Sequence, residues 1–172
     1  MLKKILSSVI IIGLLIFQQA YSQTYHPFLT LNAPGRMLYD RLGFNCELGE
    51  NLVIAGAPEG DLLAKDGTQI YDAGYVCVYE RLPRGDWKET VKITAPDAQE
   101  VGHFGQGIAL HKKNILIGEP LHNFKDSTMH KQSGRAWLYY KDDFDNWRTS
   151  KPIVPQKPIA NSWFGFSVAL TD

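Results

Sequence analysis

Short apolar runs that end in glycine and proline recur along the chain, and they are typical of β-strands. Two of them, LVIAGAP (52–58) and ILIGEP (115–120), are apolar throughout and rich in β-branched residues before the closing residues, as in a strand buried on both faces. The outer stretch WKETVKITAP (87–96) instead alternates polar and apolar residues, as a strand with one solvated face does. Beyond the N-terminal apolar segment, no window keeps the 3.6-residue period of a helix. The pattern therefore predicts an all-β chain.

The strand-like runs occur twice in the same order. Gly43, Gly105 and Gly165 open three similar stretches at almost equal intervals along the chain. Each complete unit supplies about four antiparallel strands joined by short polar turns, and a four-stranded sheet repeated in tandem is the blade of a β-propeller. The sequence thus predicts tandem four-stranded blades of an incomplete β-propeller. Three further pairs of landmarks keep nearly the same interval: Pro58 with Pro120, Gly74 with Gly134 and Trp87 with Trp147.

Two half-motifs in each unit resemble the FG-GAP family, the repeat that builds the β-propeller of integrin α subunits and that occurs in many secreted bacterial proteins. The FG half is Phe104-Gly105 and again Phe164-Gly165, and the GAP half is Gly56-Ala57-Pro58. The first unit departs from the pattern with Leu42 in place of Phe, and the second has Glu119 in place of Ala. The resemblance covers residues 42–172 and implies a partial propeller with a binding or adhesion role.

The resemblance also raises the question of calcium, because in integrin-like blades the turn between the two half-motifs often holds this ion. Here the turns are Gly49-Glu50-Asn51 and His111-Lys112-Lys113-Asn114. Calcium takes about six to eight oxygen ligands. A single glutamate in a tight turn cannot supply them, and the two lysines have the wrong charge. We therefore expect no calcium at these turns and no other cofactor.

The landmarks divide the chain into segments and leave its completeness open. Two blades expose sheet faces that need neighbours, so three alternatives remain. The chain is a fragment of a larger propeller, or it completes a ring with copies of itself or a partner, or its last strand closes a small module. The segments are a signal peptide (1–22), a lead-in segment (23–41), blade 1 (42–103), blade 2 (104–163) and the first strand of a third blade (164–172).

The N-terminus has the layout of a secretory signal peptide. Lys3 and Lys4 precede an apolar run at 5–17, and small residues follow at Ala20 and Ser22. The run is shorter than the ~20 residues that cross a bilayer as a helix. We therefore expect cleavage after Ser22 and a secreted protein, extracellular, periplasmic or on the outer cell surface, without membrane insertion after cleavage. An uncleaved anchor is the alternative.

Charge and motifs argue against two classes of function. The chain has 18 basic and 18 acidic side chains and a formal net charge of zero, which gives no electrostatic basis for binding nucleic acid or an anionic membrane. No Gly-x-Ser-x-Gly elbow marks a nucleophile, and no carboxylate pair recurs at comparable places in both units. We therefore expect a protein that is not an enzyme.

Two long polar loops are the candidate ligand site. They join the second and third strands of each unit, at 59–72 and 121–133, and exceed the length that a hairpin needs. Because they recur at the same place in each blade, we expect them on one rim. Neither acidic nor histidine spacing matches a calcium or zinc site, and plain solvated connectors are the alternative. The candidate ligand-binding residues are Asp61, Lys65, Asp66, His122, Lys125 and Asp126.

Cys46 and Cys77 are the two cysteines of the sequence, and in an exported protein a disulfide has to be considered. They fall on the first and third strands of one unit. Two strand spacings amount to about 9.5 Å, which exceeds the ~7 Å limit between the Cα atoms of a disulfide. We therefore expect two buried free thiols.

The remaining features have structural explanations. Residues 82–86 and 142–146 occupy equivalent places before a tryptophan and read as hairpin turns. Phe104 and Phe164 read as wedges between blades. The sequence therefore predicts an exported scaffold that presents its loop rim to a protein or glycan. The alternative is a non-catalytic accessory portion of a larger secreted hydrolase. The aromatic residues that recur with the unit read as packing residues: Tyr79, Trp87, Tyr139 and Trp147.

Overall fold

Two antiparallel four-stranded sheets form the fold, as the spacing of the apolar runs predicts. A computed structural model of the chain describes residues 30–31, 35 and 37–171, and none of these residues is helical. The strands lie in a unit that spans Asn32–Asp172. The other unit, Met1–Leu31, is described only at residues 30–31, so the signal peptide expected at 1–22 lies outside the described residues. In the part of the chain that is described, no helix is long and apolar enough to span a bilayer.

Residues 46–93 form the first sheet, blade 1. Its elements in chain order are β1 (Cys46–Leu48), β2 (Leu52–Ala57), β3 (Leu62–Leu63), β4 (Gln69–Ile70), β5 (Tyr75–Arg81) and β6 (Trp87–Ile93). The sheet has the order β1-β2-β5-β6 and is antiparallel throughout, while β3 and β4 form a separate two-stranded hairpin. The apolar run at 52–58 forms the central strand β2, and the other central strand, β5, is buried over its first five residues. The outer strand β6 alternates between half-buried and exposed positions, as its polar and apolar alternation predicts.

Residues 108–149 repeat this arrangement as blade 2. Its elements are β7 (Ile108–His111), β8 (Asn114–Glu119), β9 (Phe124–Lys125), β10 (Met129–His130), β11 (Arg135–Lys141) and β12 (Trp147–Thr149). The sheet order is β12-β11-β8-β7, and β9 pairs with β10 as a second hairpin. The outer strand β12 ends shortly before Pro152, which has no N–H group to donate. Pairing resumes at Ile153, which exchanges two backbone hydrogen bonds with Ala136.

The backbone repeats as the sequence does. Gly43, Gly105 and Gly165 have φ values of 91°, 93° and 89°, in the left-handed region that favours glycine. Three equivalent positions of the chain thus share one backbone conformation. Hydrogen bonds also recur from unit to unit, each from a backbone N–H to a carbonyl oxygen: Val101 to Tyr71 and Asn161 to Lys131, His103 to Asp72 and Trp163 to Gln132, Phe104 to Ala73 and Phe164 to Ser133.

One apolar core lies between the two blades. Ile54 and Val78 of blade 1 pack in the same buried cluster as Ile117 of blade 2. Phe104, which precedes blade 2, is fully buried in this cluster and meets the ring of Tyr139 edge-on, with 6.1 Å between ring centroids. Edge-to-face contacts of this kind stabilise aromatic pairs beyond the area they bury. Phe104 is therefore the wedge between blades that the sequence predicts.

The segment that precedes blade 2 crosses blade 1 at two glycines. A Cβ at Gly56 would overlap the carbonyl oxygen of Gly105, and a Cβ at Gly74 would overlap that of Phe104. Glycine is required because no side chain fits between the two backbones. The glycine of the GAP half-motif thus sets how closely consecutive blades approach. The next unit repeats both contacts, Gly118 with Gly165 and Gly134 with Phe164.

The stretch expected to begin a third blade, 164–172, has no assigned strand over its described residues 164–171. Phe164 makes a single parallel bridge with Gly134. Its side chain is 37% exposed, in contrast to the buried Phe104. Successive residues of a strand point to opposite faces of the sheet, so Gly118 lies on the face opposite to that of Ile117. Because Gly118 contacts this stretch, the stretch lies on the face of blade 2 that points away from blade 1.

The prediction of two free thiols is confirmed, but Cys46 is exposed rather than buried. Ala55 pairs with Cys46 on one side and with Cys77 on the other, so one strand separates the two cysteines as expected. Cys46 lies on the edge strand, and its row of side chains faces away from the core that Ile54 enters. The equivalent residue of blade 2, Ile108, contacts blade 1 and is buried.

Replacing Gly56 by alanine should lower the free energy of unfolding by about 3 kcal/mol, because the added Cβ forces two backbones apart in a packed region. Gly67→Ala is the matched control, since a Cβ there meets nothing within 4 Å. The control should lower the free energy of unfolding by only about 1 kcal/mol, because alanine is strained in the left-handed backbone conformation of this position. Chemical denaturation measures both changes. Equal losses in the two variants would contradict the role given to Gly56.

Cys46 should react with Ellman's reagent in the native protein at pH 8, and Cys77 should not. Burial raises the pKa of Cys77 to about 11, and the thiolate is the reactive form. Burial and the nearby Glu47 carboxylate also raise the pKa of Cys46, so its labelling should be slow and should accelerate as the pH rises. We expect one reactive thiol before denaturation and two afterwards, and none in native Cys46→Ser. Two fast thiols in the native protein would refute this assignment.

Candidate functional site

The two long loops fold as hairpins at the same end of the two sheets. Each begins where the second strand of its blade ends, and each returns to the third strand. Loop 59–72 contains the pair β3 and β4, and loop 121–133 contains β9 and β10. Strand pairing inside each loop gives the rim, the surface formed by these two hairpins, a defined shape on which side chains can be presented.

The connection between the blades, residues 94–107, holds both hairpins at their bases. The backbone N–H of Val101 donates to the carbonyl oxygen of Tyr71 at 2.9 Å, at the end of the first hairpin. Gln99 binds the start of the second hairpin, because its Oε1 accepts from the Asn123 N–H at 3.2 Å and its Nε2 donates to the Asn123 carbonyl oxygen at 3.4 Å. One segment thus anchors both halves of the rim.

In the first hairpin, two of the three candidate residues shape the loop itself. The carboxylate of Asp61 accepts a hydrogen bond from Gln69 Nε2 at 2.8 Å. Asp66 accepts from the backbone N–H of Thr68 at 2.9 Å, and this bond lowers the pKa of Asp66. Lys65 is exposed at the tip. The cation of this hairpin therefore faces solvent, while the acids stabilise the turn.

The second hairpin has the same division of roles. Asp126 Oδ1 accepts from the backbone N–H of Thr128 at 2.8 Å and lies 3.1 Å from His130 Nε2. The backbone bond first, and then the contact with His130, lower the pKa of Asp126. Lys125 is exposed on β9. Each hairpin thus presents an exposed lysine beside an aspartate that closes the turn, and Lys131 is also exposed near the end of the second loop.

A buried ion pair lies beneath the second hairpin. Glu119 is fully buried, and its carboxylate accepts from Arg135 Nε at 2.6 Å and from Trp137 Nε1 at 3.0 Å. Arg135 also donates to both carboxylate oxygens of Asp97, at 2.9 and 2.7 Å. Since Asp97 belongs to the connection between the blades, Arg135 ties β11 to the segment that anchors the rim.

Arg135 and Asp97 hold each other in the charged form. Burial alone would lower the pKa of Arg135, but its bonds to Asp97 and Glu119 outweigh burial and raise it. Burial would likewise raise the pKa of Asp97, and the hydrogen bonds and charge of Arg135 hold it below its ordinary value instead. The pair therefore remains ionised at neutral pH.

His122 is buried beside this ion pair and is not displayed on the rim. Its Nδ1 lies 3.4 Å from Glu119 Oε1 without forming a hydrogen bond. Of the six candidate ligand-binding residues, the structure places five on the two hairpins at the surface or partly buried, and it places His122 beneath them. His122 therefore lies beneath the rim and is not exposed on it.

The comparison with known families agrees with this architecture. Residues 87–139 match the family model described as FG-GAP repeat. This segment is an FG-GAP repeat. It runs from β6 of blade 1 to β11 of blade 2, so it contains the connection between the blades, the Phe104-Gly105 pair and the second hairpin. No curated protein matches the chain.

Sequence reasoning singled out Glu119 as a departure within the FG-GAP repeat but missed its partners. In blade 1 the equivalent position is Ala57, which pairs with Tyr75 across the sheet, and Glu119 pairs with Arg135 in the same way. Both members of the pair differ between the blades. The only signal in the sequence was that an acid replaces Ala in one unit while an arginine stands at the start of the next long strand.

The other end of the blade interface holds a cleft of about 600 Å³. It is lined by the turns 49–51 and 111–113, which the sequence raised as possible calcium turns. Lys141 in its wall donates to Glu80 of blade 1 and to Asp145 of blade 2, both at 2.8 Å. The pair with Glu80 connects the two blades across the cleft, and the pair with Asp145 lies within blade 2. Among the described residues, no group of three or more His, Cys, Asp or Glu side chains is placed to hold a metal ion, and the absence of calcium stays a prediction.

Replacing Glu119 by glutamine should lower the free energy of unfolding by about 3 kcal/mol, because it removes the charge that compensates a buried guanidinium. Arg148→Gln, which breaks the exposed pair with Asp142, is the control and should change stability little, since exposed ion pairs contribute weakly. Thermal and urea unfolding measure the difference. If Glu119→Gln were as mild as the control, Glu119 would not be a structural member of the cluster.

Proposed function

We propose that the protein is an exported, non-catalytic binding or adhesion scaffold, whose ligand is a protein or glycan that contacts the rim. The observation that carries this proposal is the anchoring of both hairpins on the single segment 94–107. A long loop that merely connects strands needs neither internal strand pairing nor the reciprocal bonds between Gln99 and Asn123. Rigid loops on a β-scaffold are a common basis for recognition.

Two further observations support the export and the class of ligand. FG-GAP repeats are typically extracellular, and the N-terminal sequence predicts a signal peptide. Lys65 and Lys125 are both exposed on the hairpins. Flexible ammonium groups of this kind donate up to three hydrogen bonds each, and they suit the carboxylates of an acidic peptide or the hydroxyl and acidic groups of a glycan.

We also propose that further blades or another copy of the chain extend the propeller, and the far face of blade 2 supports this. Leu116 and Leu138 are only half-buried on this face, and Tyr140 and Phe164 are exposed. The corresponding face of blade 1 buries Ile54, Val76 and Val78 against blade 2. A neighbour on the far face would bury the same kind of apolar surface.

Binding at the rim can be tested with the labelled full chain on a glycan array and on an array of extracellular proteins. We expect binders whose affinity falls at least about tenfold in the double variant Lys65→Ala/Lys125→Ala, the loss of roughly 1.4 kcal/mol. Lys88→Ala, the same change on the exposed outer strand β6, is the matched control and should leave binding unchanged. Binding that the double variant does not weaken would place the ligand elsewhere, and absence of any binder would refute the scaffold role.

A further inference from the structure

The turn between β5 and β6 is a second exposed feature, at the opposite end of β5 from the rim. Its residues, Leu82-Pro83-Arg84-Gly85-Asp86, are all exposed. Two backbone hydrogen bonds close it, from the Leu82 N–H to the Asp86 carbonyl oxygen at 2.7 Å and from the Gly85 N–H to the Leu82 carbonyl oxygen at 2.8 Å. The turn is therefore closed by its own backbone.

The tip of this turn projects into open space. Gly85 has a φ of 94°, in the left-handed region, and a Cβ there would meet nothing within 4 Å. Arg84 and Asp86 flank it with opposite charges. Among the described residues, neither side chain has a hydrogen-bond or ion-pair partner. A cation and an anion on either side of one glycine are thus displayed on a fixed backbone and are left for an external partner.

The equivalent turn of blade 2 has the same backbone hydrogen bonds, but two of its charged side chains are paired within the chain. The N–H of Asp142 donates to the Asn146 carbonyl oxygen and the N–H of Asp145 to the Asp142 carbonyl oxygen, both at 2.9 Å. There two carboxylates are neutralised within the domain, because Asp142 accepts from Arg148 at 2.7 Å and Asp145 from Lys141 at 2.8 Å. The turn of blade 1 instead leaves both its cation and its anion unpaired.

We propose that turn 82–86 is a recognition site that presents Arg-Gly-Asp to a receptor protein. The receptor would bind the Asp86 carboxylate through a divalent cation and the Arg84 guanidinium through an acidic pocket. Carboxylate oxygens are preferred ligands of Mg²⁺ and related ions, and a guanidinium forms bidentate pairs with carboxylates. Because the turn is already closed, little conformational entropy is lost on binding. This site is separate from the rim and does not depend on a ligand there.

The test uses the full chain on a sensor surface and, as the probe, a purified integrin ectodomain that binds linear Arg-Gly-Asp peptides. We expect saturable binding in Mn²⁺ that EDTA removes and that a linear Arg-Gly-Asp peptide competes, whereas an Arg-Gly-Glu peptide does not. Asp86→Glu keeps the charge but lengthens the side chain, and Arg84→Ala removes the cation. Each should weaken binding at least about tenfold, because Asp86→Glu displaces the carboxylate and Arg84→Ala truncates one partner of a charge pair.

Phe144→Ala changes the position of blade 2 that is equivalent to Arg84, and it should leave binding unchanged. The side chains of Arg84 and Asp86 have no partner among the described residues, so both variants should keep the melting temperature of the parent chain. No binding by the parent chain, binding that survives EDTA, or equal binding by Asp86→Glu would each overturn the proposal. The peptide competition needs no variant and decides the question even if one variant fails to fold.

Discussion

The close approach of two backbones at two glycines, one of them in the GAP half-motif, is the constraint on which the rest of this structure depends. At Gly56 and Gly74 the chain that leads into blade 2 passes so near to blade 1 that no Cβ fits between them. This contact places Phe104 in the core between the sheets and sets the path of the connection 94–107. Because that connection anchors both hairpins, the geometry of the rim follows from the approach of two glycines that lie beneath it.

Charged groups secure the two ends of the same interface in different ways. Beneath the second hairpin, Arg135 joins the buried Glu119 to Asp97 of the connection. At the opposite end, Lys141 joins Glu80 of blade 1 to Asp145 of blade 2. Buried pairs add little net stability over apolar packing, but removing one partner is costly. They therefore favour a single relative placement of the blades more than they increase the total stability.

The two blades repeat one backbone arrangement but carry different side chains, and this explains why equivalent positions make different contacts. The pair at the end of the second and third strands is Ala57 with Tyr75 in one blade and Glu119 with Arg135 in the other. The turns 82–86 and 142–146 share their backbone hydrogen bonds, yet the second pairs two of its carboxylates internally and the first pairs neither of its charges. The backbone positions are the same in both blades, and the residues at those positions decide which charged groups are paired within the chain.

The periodic signals in the sequence, short apolar runs and regularly spaced glycines, were enough to predict the all-β class, the repeat and the central strands, because these depend on local pattern and on backbone conformations that only glycine adopts readily. They also predicted that Cys46 and Cys77 cannot form a disulfide, because the first and third strands of a unit lie two strand spacings apart. Only the tertiary structure decided that Cys46 is exposed, that the long loops are paired hairpins, that His122 lies beneath the rim, and that Glu119 meets Arg135, which in turn meets Asp97. Each of these depends on which face of a sheet another element covers, and on contacts between residues distant in the chain, which a linear pattern does not encode.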